Sequence, residues 1–350
     1  MWHDPDGSIP KPYMKNLPII ITVIAAASIK FTAKCIEPKE IGYNTINRPT
    51  AEAHISFLAA DELEGREAGY KSGRIAGNYV EAQLKALGLT PWDDKNFFQP
   101  FEAYRVERQK KGQYTVHPDS VAKIIADTHH QKLSLRNVMG KITGKNPDEI
   151  VVIGAHYDHL GLDPLLDTDK IYNGADDNAS GVAAVLQIAR AFVTSGVQPE
   201  RTVIFALWDG EEKGLLGSEY FMQTFSDPKK IKGYLNFDMI GRNNKENEPE
   251  HVVYLYTAGN PMFETWLKND IAQRGLKLKP HFSAWKQLLS GSDNRSFAKH
   301  NIPIIWYHTD GHPDYHLPSD HTDKINWEKT VDITRAAYLN LWNLANEKTY

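Results

Sequence analysis

His156 and Asp158 stand two residues apart in Gly154-Ala155-His156-Tyr157-Asp158-His159-Leu160-Gly161. At that spacing a carboxylate can accept a hydrogen bond from an imidazole and fix the tautomer of a cation ligand. Taken alone, His-x-Asp reads more simply as a surface turn. A second cluster, Asn173-Gly174-Ala175-Asp176-Asp177-Asn178-Ala179-Ser180-Gly181, places two adjacent aspartates on a glycine-containing loop ahead of a helix. A carboxylate pinned there can be shared between two cations, or can simply cap the helix. In Trp208-Asp209-Gly210-Glu211-Glu212-Lys213-Gly214 two neighbouring glutamates follow the apolar run Val203 to Leu207. On a turn they can converge on one cavity, one binding a cation and the other holding a water. The other reading is an exposed acidic turn. Asp238 lies among apolar neighbours in Asn236-Phe237-Asp238-Met239-Ile240-Gly241-Arg242. A buried carboxylate is costly unless paired or metal-bound, and Arg242 is the alternative partner. The last cluster, His308 to Asp323, offers His312, Asp314, Tyr315, His316, Asp320 and His321, several of which must be bystanders.

The elements that must position these residues follow from the apolar pattern. Short β-branched or aromatic runs at 150–155, 202–208, 234–237, 252–256 and 302–307 predict buried strands. Helical spacing appears at 51–63, 72–87, 180–192 and 327–344. Alternating strands and helices predict an α/β fold with a mixed, largely parallel central sheet and helices on both faces. The polar clusters sit just past the strand ends, where open α/β sheets build their sites. Residues 90–135 read as either edge strands or a small cap.

Composition narrows the classes. A net charge of −4 argues against a nucleic-acid partner. The single cysteine, Cys35, excludes an intrachain disulfide and leaves His, Asp and Glu to build any metal site. Lys15 precedes the apolar run Leu17 to Ala27, which ends in three alanines. This predicts an export signal, with Met1 or Met14 as start, and a periplasmic or secreted protein. The run is too short for a stable membrane span. Cys35 is a candidate lipid-attachment residue, which Lys34 directly before it argues against. Residues 1–35 therefore read as signal and leader, and 36–50, with Pro38, Gly42 and Pro49, as a linker.

Together the clusters supply two imidazoles, three carboxylates and a spare glutamate, a donor set for two borderline cations such as zinc. In this order they resemble zinc aminopeptidase family M28, over about residues 57–335. The segment Phe57-Leu58-Ala59-Ala60-Asp61-Glu62-Leu63-Glu64-Gly65-Arg66 is similar to that of bacterial exported members. The resemblance implies one catalytic domain, 51–350, with a modest cap, acting on peptides through two zinc ions, with cobalt or manganese as substitutes. It implies that His156 and Asp238 bind one ion, Glu212 and His316 the other, and that Asp177 bridges both. Glu211 would be the general base, Asp158 would orient His156, and Tyr315 would stabilise the oxyanion. Residues 281–292, with Phe282 and Trp285, and the surroundings of Tyr315 are expected to line the substrate pocket. Two other readings share the fold: a glutaminyl cyclase, which uses a single zinc for acyl transfer, and a non-catalytic ectodomain resembling the transferrin receptor.

Overall fold

The computed structural model describes residues 36–106, 113–127 and 129–350. The expected export signal and Cys35 lie outside the described residues. Along the chain come α1 (Pro38–Tyr43), α2 (Arg48–Leu58), α3 (Lys71–Ala86), β1 (Thr90–Pro91), β2 (Phe98–Val106), α4 (Pro118–Ile125), β3 (His130–Ile142) and β4 (Asn146–His156). A two-stranded ribbon, β5 (Gly161–Leu162) and β6 (Ile171–Tyr172), precedes α5 (Gly181–Ser195), β7 (Arg201–Trp208), α6 (Leu216–Thr224) and β8 (Ile231–Phe237). The remainder is β9 (His251–Thr257), α7 (Met262–Arg274), β10 (Lys279–Trp285), α8 (Asn294–Ala298), β11 (Ile304–His308) and α9 (Trp327–Asn346).

The main sheet runs in the order β1, β3, β7, β4, β8, β11, β9, β10, with β2 also beside β3. β7, β4, β8 and β11 are mutually parallel, and so is the outer pair β9 and β10. The junctions of β3 with β1, β2 and β7, and of β11 with β9, are antiparallel. The expected mixed sheet therefore forms, with its parallel centre at the strands that carry the polar clusters. These strands read as unbroken apolar runs because both sheet faces are covered. Val151, Ile153 and Ala155 of β4 enter a core shared with α2, α5 and α9, while Val152 joins Phe221 and Met222 of α6 and Phe297 of α8 on the other face.

The stretch 36–50, read as a linker, is instead folded onto the domain. Pro38 and Pro49 lie in the first turns of α1 and α2, where a missing N–H removes no helical bond. The Asn47 side chain caps α2 by accepting the Thr50 N–H at 3.0 Å. Gly42 lets α1 close on its neighbours: a Cβ there would lie 2.4 Å from the Tyr338 hydroxyl and 2.5 Å from the Ala191 carbonyl. The ambiguous 90–135 stretch contributes edge strands, packed over a small core of Ala68, Phe101, Ala103, Val116, Leu135 and Leu216. No helix among the described residues is long and apolar enough to cross a membrane.

Gly154 shows how tightly the sheet centre is filled. A Cβ at this position would stand 2.5 Å from Trp208 Nε1 and 2.8 Å from the Tyr234 hydroxyl, which are themselves hydrogen-bonded at 2.9 Å. Gly154→Ala is expected to destabilise the fold by about 1–3 kcal/mol through overpacking. An unchanged midpoint in urea unfolding would contradict this packing.

Candidate active site

β4 ends at His156, β7 at Trp208, β8 at Phe237 and β11 at His308, and the polar clusters begin at or directly after these residues. Neighbouring parallel strands deliver their following loops to the same edge of the sheet. The remaining cluster, 173–181, arrives just ahead of α5. Gly174 turns it at φ 57°, with its Cα so close to the Asp177 carbonyl that a Cβ would lie 2.1 Å away. Asn178 fastens the loop to the sheet, donating to the Phe237 carbonyl at 2.9 Å and accepting the Gly181 N–H at 3.0 Å.

All five residues expected to bind metal meet here. His156 Nε2 lies 3.2 Å from Asp177 Oδ1 and 3.5 Å from Asp238 Oδ1. His316 Nε2 lies 3.1 Å from Asp177 Oδ2 and 3.3 Å from Glu212 Oε2. The two oxygens of one carboxylate, Asp177, thus face two different imidazoles. Glu211 stands with His156 and Asp238, one ligand-type atom from each lying within 4.8 Å of the others. These residues line a cavity of about 250 Å³ together with Met239, Gly291, Trp306, His308, Gly311 and Tyr315. Gly291 and Tyr315 match the expected pocket lining. Phe282 and Trp285 do not line it: Phe282 packs edge-on against Tyr254, and Trp285 faces a separate cavity beside Thr257 and Ile302.

Charge is balanced residue by residue. Burial opposes ionisation of Asp177, yet His159, His156 and His316 hold it well below the usual carboxylate range. Burial likewise disfavours a charged His316, but hydrogen bonds to Asp177 and Glu212 raise it to about 10. Burial and then the charges of Asp238 and Glu212 outweigh His156 and push Glu211 well above its ordinary value. Burial pushes Asp158 up to about 6.

Asp158 acts differently from the expectation. Its carboxylate is 3.8 Å from His156 Nδ1, too far for a hydrogen bond, whereas its backbone carbonyl is 3.2 Å away. The carboxylate instead accepts the backbone N–H groups of Glu211 at 3.1 Å and Glu212 at 3.3 Å. It therefore shapes the turn carrying both glutamates, and His156 is oriented by main chain. Arg242, the alternative partner of Asp238, pairs with Asp314 at 2.6 Å and leaves Asp238 to the crevice. Tyr315 is 47% exposed, lines the cavity and stacks on His316 with ring centres 3.9 Å apart.

Two residues had no role assigned from the sequence. His159 is fully buried, with Nδ1 2.8 Å from Glu212 Oε1 and 3.8 Å from Asp177 Oδ2. Its signal was available: a second histidine three residues after His156 on the same loop. Asp320 closes the cluster from the last loop, its Oδ2 accepting the N–H groups of Asp176 at 2.9 Å and Asp177 at 3.1 Å. His312 faces Asp176 at 3.3 Å and His321 faces Asp169 at 2.9 Å, so both are bystanders to the crevice.

The donor set fits cations of the zinc type. Ligand atoms about 2.0–2.2 Å from a tetrahedral ion are about 3.3–3.6 Å from each other. The four nitrogen–oxygen separations above, 3.1–3.5 Å, match that spacing on both sides of Asp177. Nitrogen and carboxylate donors without thiolate suit zinc, cobalt or manganese.

Residues 137–340 match the model of peptidase family M28. An aminopeptidase of Pseudomonas aeruginosa (strain UCBPP-PA14) is 37% identical over 132 residues, 37% of this chain and 23% of that protein. The chain spans well under two thirds of the length of the curated relatives it matches. Among solved structures, the zinc aminopeptidase BSAP of Bacillus subtilis superposes with a TM-score of 0.66 at 16% identity, covering 87% of this chain and 97% of that one. The glutaminyl cyclase of Porphyromonas gingivalis gives 0.61 at 16% identity, covering 85% and 98%. The matched region contains every one of the five clusters in its expected order, and the chain belongs to peptidase family M28.

Proposed function

We propose that this chain is a zinc aminopeptidase that binds two ions per molecule and removes N-terminal residues from peptides. The observation that carries this reading is the division of Asp177, whose two oxygens lie 3.2 Å and 3.1 Å from the imidazoles of His156 and His316. His156 and Asp238 would hold one ion, Glu212 and His316 the other, with Asp177 between them. Cations held there would supply Lewis acidity to the scissile carbonyl and make a nucleophile of water near neutral pH.

The protein's own groups do the rest. Glu211, partly exposed at the crevice, has its proton affinity raised by desolvation and by the charges of Asp238 and Glu212, which suits a general base that takes a proton from the attacking water and gives it to the leaving amine. Asp158 keeps Glu211 and Glu212 in register through their backbone N–H groups. His159 fixes Glu212 through its Oε1. The hydroxyl of Tyr315, a residue of the cavity wall, can donate to the oxyanion that develops. The small, carboxylate-rich crevice suits a single side chain and a protonated α-amine, which favours cleavage at the N-terminus over cleavage within a chain. Residues for both cation positions are filled, which favours hydrolysis over single-zinc cyclisation.

A panel of aminoacyl anilides, N-blocked peptides and N-terminal glutamine peptides, read with metal analysis, tests the proposal. Anilide cleavage that a chelator abolishes, with two zinc ions per chain, is the expected result. One zinc and cyclisation of glutamine peptides would replace it with the cyclase reading. Glu211→Gln should lower kcat by about 10²–10⁴-fold while zinc content stays at the wild-type level; activity near wild type would remove Glu211 as the base. Asp177→Ala should lose zinc and melt at lower temperature, because the remaining carboxylates crowd without compensation. Normal zinc content in that variant would disprove the bridge.

A further inference from the structure

Arg66 closes the segment that resembles bacterial exported members, yet nothing in the chemistry above uses it. It is fully buried. Its Nε donates to the Tyr157 carbonyl at 2.9 Å. Nη1 donates to the carbonyls of Leu58, at 3.1 Å, and Asn173. Nη2 donates to those of Gly174 at 2.7 Å and Asp177 at 2.9 Å. A guanidinium has five N–H donors, and here five carbonyls accept. Tyr157 follows His156, Asp177 is the shared carboxylate, and Leu58 ends α2. One side chain therefore ties both cation-binding loops to each other and to the helix behind them. The main chain adds to the grip, since the His159 N–H is directed at the Arg66 carbonyl at 3.4 Å.

The local backbone is bent to bring this about. Glu64, Gly65 and Arg66 have φ of 44°, 67° and 41°, three successive residues in the left-handed region, where only glycine is at ease. Gly65 cannot carry a side chain, because a Cβ would lie 2.2 Å from the Gly161 carbonyl and 2.7 Å from that of Tyr172. Such a turn is held only where surrounding contacts enforce it, and it tends to mark a functional constraint. Among the described residues no carboxylate is directly bonded to the guanidinium. Burial lowers its proton affinity, and the charges of Asp177, Asp320, Asp158 and Glu212 act against that through space. A fixed cation thus stands behind the acidic crevice on the side away from solvent.

We propose that Arg66 is a positioning residue that holds the His156 and Asp177 loops in their cation-binding arrangement before any cation arrives. This rests on the two-zinc reading above. Lysine cannot substitute, because its three donors on a flexible stem do not span five carbonyls.

The test compares the full-length wild type with Arg66→Lys after stripping with a chelator. Zinc affinity is measured by competition with a fluorescent chelator, the ligand field by the visible spectrum of the cobalt-substituted protein, and the stability of the metal-free form by urea unfolding. The variant is expected to bind zinc about 10–100-fold more weakly and to show an altered cobalt spectrum. A zinc affinity within twofold of wild type, with only the urea midpoint lowered, would reduce Arg66 to a structural role and overturn the proposal. Amide hydrogen exchange on the metal-free wild type decides the matter even if the variant fails to fold. Residues 157–161 and 173–178 should already be protected, and protection that appears only on adding zinc would overturn it. Failure of the wild type to bind zinc at all would instead remove the two-zinc reading.

Discussion

Mutual repulsion of carboxylates is the constraint around which this molecule is organised. Asp177, Glu211, Glu212 and Asp238 line one crevice of about 250 Å³, and Asp158 lies directly behind it. Buried charges of one sign persist only if opposite charge, hydrogen-bond donors or a cation are fixed beside them. Each kind of compensation is present in a defined place. The imidazoles of His156 and His316 face the carboxylates from within the crevice and that of His159 from behind it, the backbone N–H groups of residues 211 and 212 are donated to Asp158, and the Arg66 guanidinium stands behind. Two divalent ions would complete the same balance, and the spacing of the donors is already that of a coordination shell.

The fold supplies the rigidity this balance needs. Strands β4, β7 and β8 are buried on both faces, so the residues at their ends are placed by a packed core rather than by loop preferences. Loops then clasp what the strands deliver. The peptide groups of Asp177 show this best: its carbonyl is held by Arg66 from the α2 side, and its N–H by Asp320 from the loop after β11. That second loop is itself anchored through Asp314 to Arg242, which follows β8. The residue proposed to lie between two cations is thereby fixed from opposite directions.

Much of this was legible in the sequence, for identifiable reasons. The central strands announce themselves as unbroken β-branched runs, and the five presumed ligands fall just beyond strand or loop boundaries that follow from topology. What could not be read depends on three-dimensional contact. The helix Met262–Arg274 buries Phe263, Trp266 and Leu267 at helical spacing, but Asp270 interrupts that face and charged residues surround it, so the stripe is short. The linker reading of 36–50 failed because proline at a helix start and proline in a linker look alike until Gly42 is seen against Tyr338 and Ala191. Sequence proximity pairs Asp158 with His156, but its carboxylate turns to residues 211 and 212, more than fifty positions away. Arg66 resembles any surface arginine until its five carbonyl partners are brought together.

The neighbouring glutamates illustrate how such contacts create chemistry that residue type alone does not. Glu211 and Glu212 differ by one position and share the Asp158 anchor. Glu212 is bonded to His159 at 2.8 Å and faces His316 at 3.3 Å. Against burial and the charge of Asp177, these imidazoles keep it below its ordinary value. Glu211 has His156 as its main attractive charge, but burial and the charges of Asp238, Glu212 and Asp293 prevail and raise it. Environments that drive two carboxyl groups apart in this way separate a permanently ionised ligand from a group able to accept and release a proton. The assignment of Glu212 to cation binding and Glu211 to proton transfer therefore rests on which imidazoles each one meets, and that follows from the register between β4 and β7, where His156 pairs with Trp208, and from the loop after β11 that brings His316.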